Sequence, residues 1–188
     1  MFPSPKELWL DIALTSRCPL RCRYCSVEKE AGLELTASQW IEVVEAFAAL
    51  RPIALISLEG GEPFLRKDLS TILKACLEIA RTVKVVTSGV LPLDWILPGI
   101  LRHPGFVLEL SLDGPAEMQN FLRDGSWDRS WNFLKAGIQR NIPMQVRSVI
   151  SRHNISIFPD WLMRLDAMLG PFGRRVGFFY DTILAPEL

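Results

Sequence analysis

The sequence predicts an α/β fold built on a parallel sheet, and three observations predict it. Short Val/Ile/Leu-rich runs alternate six times with stretches of helical period. That alternation carries each strand to its neighbour by a right-handed helical crossover. The strand runs are almost continuously apolar, as strands covered by helices are. Polar and glycine-bearing motifs follow directly on the first four strands. They therefore collect at the carboxyl edge of the sheet, where parallel barrels place their sites.

The first strand is Leu8 to Thr15, apolar apart from Asp11, and runs into a cysteine-bearing loop. Thr36 and Gln39 make a T-x-x-Q capping box. It opens a helix through about Leu50 with Trp40, Ile41, Val44, Phe47 and Ala48 on its apolar side. Ile53 to Leu58 is the second strand and ends in Glu59-Gly60-Gly61-Glu62-Pro63. A helix from about Asp68 to Arg81 leads to the third strand, Val83 to Thr87, followed by Ser88-Gly89. A short helix around Asp94 to Leu101 precedes the fourth strand, Phe106 to Leu112, which ends in Asp113-Gly114-Pro115. Trp127 to Arg140 is helical with Ser126 as N-cap, and Met144 to Ile150 is the fifth strand. Phe158 to Leu169 is a helix stopped by Gly170-Pro171, and Val176 to Tyr180 is the sixth strand.

A length of 188 residues suits one domain, 1–188, and 49% apolar residues suffice for a sizeable core. The 21 basic and 21 acidic residues cancel, leaving no basic field for nucleic acid. No apolar run approaches the roughly 18 residues of a membrane span. The opening Met1-Phe2-Pro3-Ser4-Pro5-Lys6 lacks the charged-then-apolar pattern of a signal peptide. The cysteines are therefore expected to be reduced thiols in a cytoplasm rather than a disulfide framework.

Three of the four cysteines, Cys18, Cys22 and Cys25, fall within eight residues as C-x3-C-x2-C. A structural zinc site asks for four closed ligands, and a cubane iron–sulfur cluster takes one thiolate per iron. Three thiolates leave one iron open, a position for chemistry rather than for stapling a fold. The alternatives are a zinc knuckle or three unrelated buried thiols.

With Tyr24, the triad matches the C-x3-C-x-aromatic-C loop and resembles the radical S-adenosylmethionine (radical SAM) superfamily. The resemblance implies an open (β/α)6 partial TIM barrel, a 4Fe–4S cluster on the three cysteines, and SAM chelating the open iron. Gly60-Gly61-Glu62-Pro63 resembles the family's GGEP motif, whose backbone contacts the SAM ammonium; glycines let backbone approach a ligand closely. Glu59 stands where relatives usually carry Ser or Thr. Thr87-Ser88-Gly89 is similar to a T-[N/S]-G that reaches the SAM carboxylate, although by itself it reads as a simple turn. Ser111-Leu112-Asp113-Gly114-Pro115 resembles a run in which the positions of Ser111 and Asp113 reach the SAM carboxylate and ribose. Gln119 and Asn120 replace the usual His-Asp pair, while Arg123 keeps the arginine that follows. Arg147 to Asn154 extends the resemblance, which covers about Leu8 to Ile155.

The wording around the cysteines is closest to the branch that matures peptides and peptide-derived cofactors, such as pyrroloquinoline quinone biosynthesis. Enzymes of that branch usually carry a cysteine-rich C-terminal extension. No cysteine follows Cys76 here, so the expectation is an excised core or a minimal enzyme.

Cys76 lies at helical spacing with Leu73 and Ala80 and reads as a packing residue. His103 and His153 are loop histidines with no ligand-like partner, and the six tryptophans read as packing residues. The resemblance implies an enzyme that cleaves SAM reductively to methionine and a 5′-deoxyadenosyl radical, which takes a hydrogen atom from the substrate. An electron donor such as flavodoxin or ferredoxin is implied. The alternative is a metal-binding scaffold that keeps the barrel without turnover.

Period-two alternation groups Asp11 with Trp9 and Ala13, Ser57 with Glu59, and Glu109 with Ser111 and Asp113. Carboxylates on an inward face are costly unless paired. Arg147 is expected to offset one. The remainder, Glu109 and Glu59 foremost, are expected to meet amine or hydroxyl groups of a polar substrate, a peptide or small metabolite, unless water and backbone donors satisfy them.

Overall fold

Six strands alternate with helices as the apolar pattern dictates. In the computed structural model, which describes residues 6–29, 32–96, 98–169 and 176–182, the order is as follows. β1 is Leu8–Thr15, α1 Ala37–Leu50, β2 Ile53–Gly60, α2 Leu69–Ile79, β3 Ala80–Thr87 and α3 Pro98–Leu101. β4 is Phe106–Ser111, α4 Ala116–Leu122, α5 Trp127–Gln139, β5 Met144–Ile150, α6 Phe158–Leu169 and β6 Val176–Thr182. Single 3-10 turns occupy Pro63–Leu65 and Leu93–Trp95. The sheet runs β1-β2-β3-β4-β5-β6, so chain order is also spatial order.

The chain falls into two compact units interleaved in sequence. The first comprises 1–18, 27–87 and 94–108; the second comprises 19–26, 88–93 and 109–188.

In the first unit β1 pairs parallel with β2, and β2 with β3. Leu10, Ile56 and Val83 stand in register, as do Ile12, Leu58 and Val85. Of these, Ile12, Ile56, Leu58, Val83 and Val85 are buried, together with Val44 of α1 and Ile72, Leu73 and Cys76 of α2. Each of the Val, Leu and Ile side chains contributes about 1.5–3 kcal/mol by leaving water. The predicted capping box is present in both halves: Gln39 N–H donates to Thr36 Oγ1, and Thr36 N–H to the Gln39 side chain. His103 is used locally, its Nδ1 accepting from Gly105 N–H at 3.1 Å.

In the second unit β5 and β6 pair parallel from Met144↔Val176 to Ile150↔Thr182. Leu110, Leu112, Phe133, Leu134, Val146 and Leu165 are buried there. Trp127 stacks on Trp131 with ring centroids 5.1 Å apart and meets Trp161 edge-on at 5.8 Å. These tryptophans join α5 to α6 as packing residues.

Four details differ from the sequence reading. Residues 116–122, read only as motif, form α4. β3 begins at Ala80, where α2 ends, because Ala80 takes extended dihedrals (φ −102°, ψ 150°). The helix expected over Asp94 to Leu101 is divided between a 3-10 turn and α3. Ser126 precedes α5 but gives it no side-chain cap; its Oγ accepts from Gln119 Nε2 at 3.0 Å. The Gly170-Pro171 stop lies outside the described residues.

Candidate cofactor site

The GGEP turn and the exit of β1 are built on each other. Gly60 has φ +109°, a region that favours glycine. Gly61 N–H donates to Thr15 O at 2.7 Å and Glu62 N–H to Arg17 O at 2.8 Å. A Cβ on Gly61 would lie 2.2 Å from Arg17 O. The close backbone approach expected of this glycine is thus made to the residues leading into Cys18. Glu62 is fully buried and takes Thr87 Oγ1–H at 2.9 Å and Phe64 N–H at 3.3 Å. Pro63, which has no N–H to lose, follows it as the first residue of the 3-10 turn. Three predicted positions, Gly61, Glu62 and Thr87, therefore gather at one place in the first unit, with Thr87 bonded to the glutamate that follows Gly61.

The same β1 exit carries a network that the sequence reading missed. Glu34 accepts from Thr15 Oγ1 and pairs with Arg17 at 2.9 Å. Burial works against its charge, but the bonds from Thr15 and Arg17 win and hold its carboxyl below the usual glutamate range. Arg66 is buried, donates to Leu14 O and Leu35 O, each at 2.9 Å, and grips Asp68 with two bonds. Arg66 pulls the Asp68 carboxyl below its ordinary value. Only the Arg-x-Asp spacing in Arg66-Lys67-Asp68 hinted at this; the partners on β1 and at Leu35 are far away in sequence.

One face of β1–β3 carries polar residues. Asp11, Ser57 and Lys84 stand in register across the three strands, and Ala13 faces Glu59. Asp11 and Trp9 are exposed and Glu59 half-buried, opposite the apolar face of Ile12 and Leu58. Ser57 Oγ is buried with no hydrogen-bond partner among the described residues. Lys84 was not anticipated, though a lysine in the apolar run of β3 is itself the clue.

In the second unit the cysteine loop meets β4, α4 and β5. Tyr24 donates its hydroxyl to Asp113 Oδ2, which also takes Arg123 Nε–H at 2.6 Å. Asp113 Oδ1 takes Val149 N–H at 2.8 Å and a longer bond from Arg123 Nη2 at 3.4 Å. Asp113 N–H donates to Gln119 Oε1, and Asp113 O accepts from Asn154 Nδ2, both at 2.8 Å. Asp113 is 0% exposed, so each acceptor site needs such a partner. Gln119, in place of the family's usual histidine, is also fully buried and bridges Asp113, Ser111 O and Ser126. Burial pushes the Tyr24 hydroxyl far above its ordinary range, with Asp113 adding to the effect. For Arg123, burial opposes the charge, but Asp113 outweighs it and holds the guanidinium protonated.

Glu109 is fully buried and Arg147 Nη1 lies 3.3 Å from its Oε1, so the carboxylate that Arg147 offsets is one that was expected to meet substrate. Ser88 gives its carbonyl to Ser130 Oγ–H at 2.6 Å. His153 packs edge-on against Phe121 with centroids 5.4 Å apart. Cys76 is 1% exposed, and burial pushes its thiol up to about 12.

Cys18 and Cys22 are half-buried, Cys25 is exposed, and all three are thiols outside any disulfide. Among the described residues no three His, Cys, Asp or Glu gather closely enough for a single metal ion. A lone zinc needs every sulfur about 2.3 Å from one centre, whereas a four-iron cluster takes each thiolate on a separate iron. The donor set, three soft reduced sulfurs in one short loop, fits the cluster.

Comparison with known proteins shows the family and the fold. The model of the Radical SAM superfamily matches residues 12–160. A PqqA peptide cyclase of Methylobacterium sp. (strain 4-46) is 32% identical over 173 residues, covering 87% of this chain and 45% of the relative. A second, from Granulibacter bethesdensis, is 28% identical over 162 residues, with 82% and 43% covered. The chain thus spans less than half the length of these curated relatives. The crystal structure of Streptococcus suis SuiB bound to precursor peptide SuiA superposes with a TM-score of 0.80 at 19% identity, covering 94% of this chain and 39% of that one. Native anSMEcpe with bound AdoMet superposes at 0.71 and 15% identity, covering 92% and 50%. These structures share the fold, the open partial barrel that the family resemblance implied. With the cysteine loop, the GGEP turn and the later strand-end motifs inside the matched span, the chain belongs to the radical SAM superfamily.

Proposed function

We propose that the chain is the catalytic core, acting as one domain, of a cytoplasmic radical SAM enzyme that modifies a peptide. The observation that carries this is the family match over 12–160, with three reduced thiols in the family's spacing inside it. Cys18, Cys22 and Cys25 would hold a 4Fe–4S cluster, at which SAM would bind. When bound, the pair supplies one-electron reductive cleavage of SAM and hence a means of taking a hydrogen atom from an unactivated carbon.

The chain's own residues bind and orient. The Gly61 and Glu62 N–H groups are used up on Thr15 and Arg17, so this turn suits an ammonium, which needs acceptors rather than donors. Gly60 through Pro63 and Thr87 are the first unit's SAM-contacting residues, as the family resemblance implies, and Ser88 and Ser111 are those of the second. Thr87 fixes the Glu62 carboxylate by a bond between buried groups. Glu109 and Glu59 meet polar groups of the substrate.

A peptide substrate is supported by the names of the curated relatives, PqqA peptide cyclases, and by a structural neighbour captured with its precursor peptide. A flavodoxin- or ferredoxin-type donor supplies the electron. Among the described residues no helix is long and apolar enough to cross a membrane.

The test is anaerobic reconstitution with iron and sulfide, then SAM and dithionite. About four irons per chain and formation of 5′-deoxyadenosine are expected. Iron binding without 5′-deoxyadenosine would instead indicate a metal-binding scaffold that does not turn over.

A further inference from the structure

In the second unit the cysteine loop is gripped at Arg21, Arg23 and Tyr24, the residues that flank Cys22 and lead to Cys25. Arg21 N–H donates to Asp124 Oδ2 at 3.0 Å. Arg23 N–H donates to Leu122 O at 2.9 Å and Arg23 Nε–H to Phe121 O at 2.8 Å. The Arg23 guanidinium also lies over the Phe121 ring, 4.0 Å from its centroid. Tyr24 reaches Asp113, and the Arg123 guanidinium sits 5.3 Å from the centre of the Tyr24 ring.

Most of these holds come from one short stretch, 121–124, the end of α4 and the turn after it. A helix C-terminus leaves its last carbonyls without helical partners, and here two of them are given to Arg23. Asp124 has φ 53°, a left-handed conformation uncommon outside Gly, Asn and Asp, and its carboxylate meets Arg21 N–H.

We infer that residues 121–124, backed by Asp113, are a positioning clamp that fixes the loop bearing Cys22 and Cys25, and that Asp113 and Arg123 act through this loop rather than by touching SAM. The carboxylate of Asp113 already receives Tyr24, Arg123 and Val149. It has little acceptor capacity left for a ribose hydroxyl. Arg123 spends its Nε–H and Nη2 on Asp113. The clamp is a property of the polypeptide itself. Its consequence for a cluster rests on the functional reading above.

The experiment uses the full chain without metal, reduced, with thiol alkylation followed cysteine by cysteine by mass spectrometry. The variants are Tyr24→Phe, Asp124→Asn, Arg123→Met and Arg123→Lys. Buried Cys76 is the internal reference for an intact fold. Expected are Cys22 and Cys25 alkylating about tenfold faster in Tyr24→Phe and Arg123→Met while Cys76 stays unlabelled. Arg123→Lys, which keeps the charge, should recover part of the protection. Asp124→Asn, which keeps an acceptor for Arg21 N–H, should stay near the parent. On reconstitution Tyr24→Phe and Arg123→Met should take up less iron.

Parental rates at Cys22 and Cys25 with Cys76 protected would overturn the clamp. So would labelling of Cys76 in every variant, since the network would then serve only the fold. A chain that never accepts a cluster would defeat the functional reading and leave the alkylation result standing, so the two failures are distinct.

Discussion

Tyr24 and Asp113, 89 positions apart in the chain, share a hydrogen bond in which the phenol donates to the carboxylate. The oxygen that accepts it also faces Arg123 Nε at 2.6 Å. Asp113→Ala leaves the Arg123 charge buried without its counter-ion, a change that costs about 3–5 kcal/mol. For a chain of this size the melting temperature should fall by about 6–20 °C. Differential scanning fluorimetry of the metal-free protein checks this. A shift under about 2 °C would mean the pair contributes little.

Gly61→Ala should lower iron uptake as well as SAM affinity. The added Cβ would sit 2.2 Å from a backbone oxygen, that of Arg17, which cannot swing aside as a side chain can. Relief must therefore shift the residue before Cys18. Overpacking of this kind costs about 1–3 kcal/mol. Iron per chain after reconstitution is the measurement, and normal iron with weakened SAM binding by calorimetry would place the effect on the ligand alone.

The carboxylates around the β1 exit make stability fall in acid. Glu34 and Asp68 are both held below their ordinary values by arginine partners and hydrogen bonds. A depressed folded-state value contributes stability that is present above the unfolded value, about 4 for these groups, and lost as pH falls through the folded one. Urea midpoints should be flat from neutrality to about pH 5 and decline below about pH 4. Glu34→Gln with Asp68→Asn should flatten that decline.

Cys76→Ala should keep the cluster. Its thiol is buried in α2, with burial pushing its pKa up to about 12, so it is a poor thiolate donor at neutral pH. Expected are parental iron content and a stability loss of about 1 kcal/mol. Ala at Cys18, Cys22 or Cys25 should each abolish the chromophore.

Glu109→Gln should reduce substrate turnover by about tenfold or more, equivalent to about 1.4 kcal/mol of barrier, while SAM cleavage without substrate persists. The variant removes the carboxylate that Arg147 faces at 3.3 Å. Parental turnover in both Glu109→Gln and Glu59→Gln would remove the acidic face from substrate binding.

Much of this was legible in the sequence because it is local. β1 and β5 have the boundaries that their apolar runs predict, and the Thr36–Gln39 box needs only its own four residues. Strand alternation gave Arg147 one inward carboxylate to offset without saying which, and the structure makes it Glu109. What escaped depends on distant partners. Ser126 reads as a cap, but Gln119 claims its hydroxyl from outside the helix. α4 was hidden because its polar residues, Gln119 and Asn120, read as motif positions. Asp113 carries a family role in the sequence. Its bonds to Tyr24, Arg123 and Val149 become visible only once three remote segments converge.

The clamp also sets an order in time. The cysteine loop leaves the ribosome early, whereas its supports at Asp113 and 121–124, and Val149 and Asn154 that fix Asp113, are made much later. At about 5–20 residues per second, the loop waits on the order of ten seconds for its anchors. Metal delivered during that interval would meet three mobile thiols rather than a formed site. The loop between Cys18 and Cys25 is therefore expected to take its clamped form only after the chain has been made through Asn154.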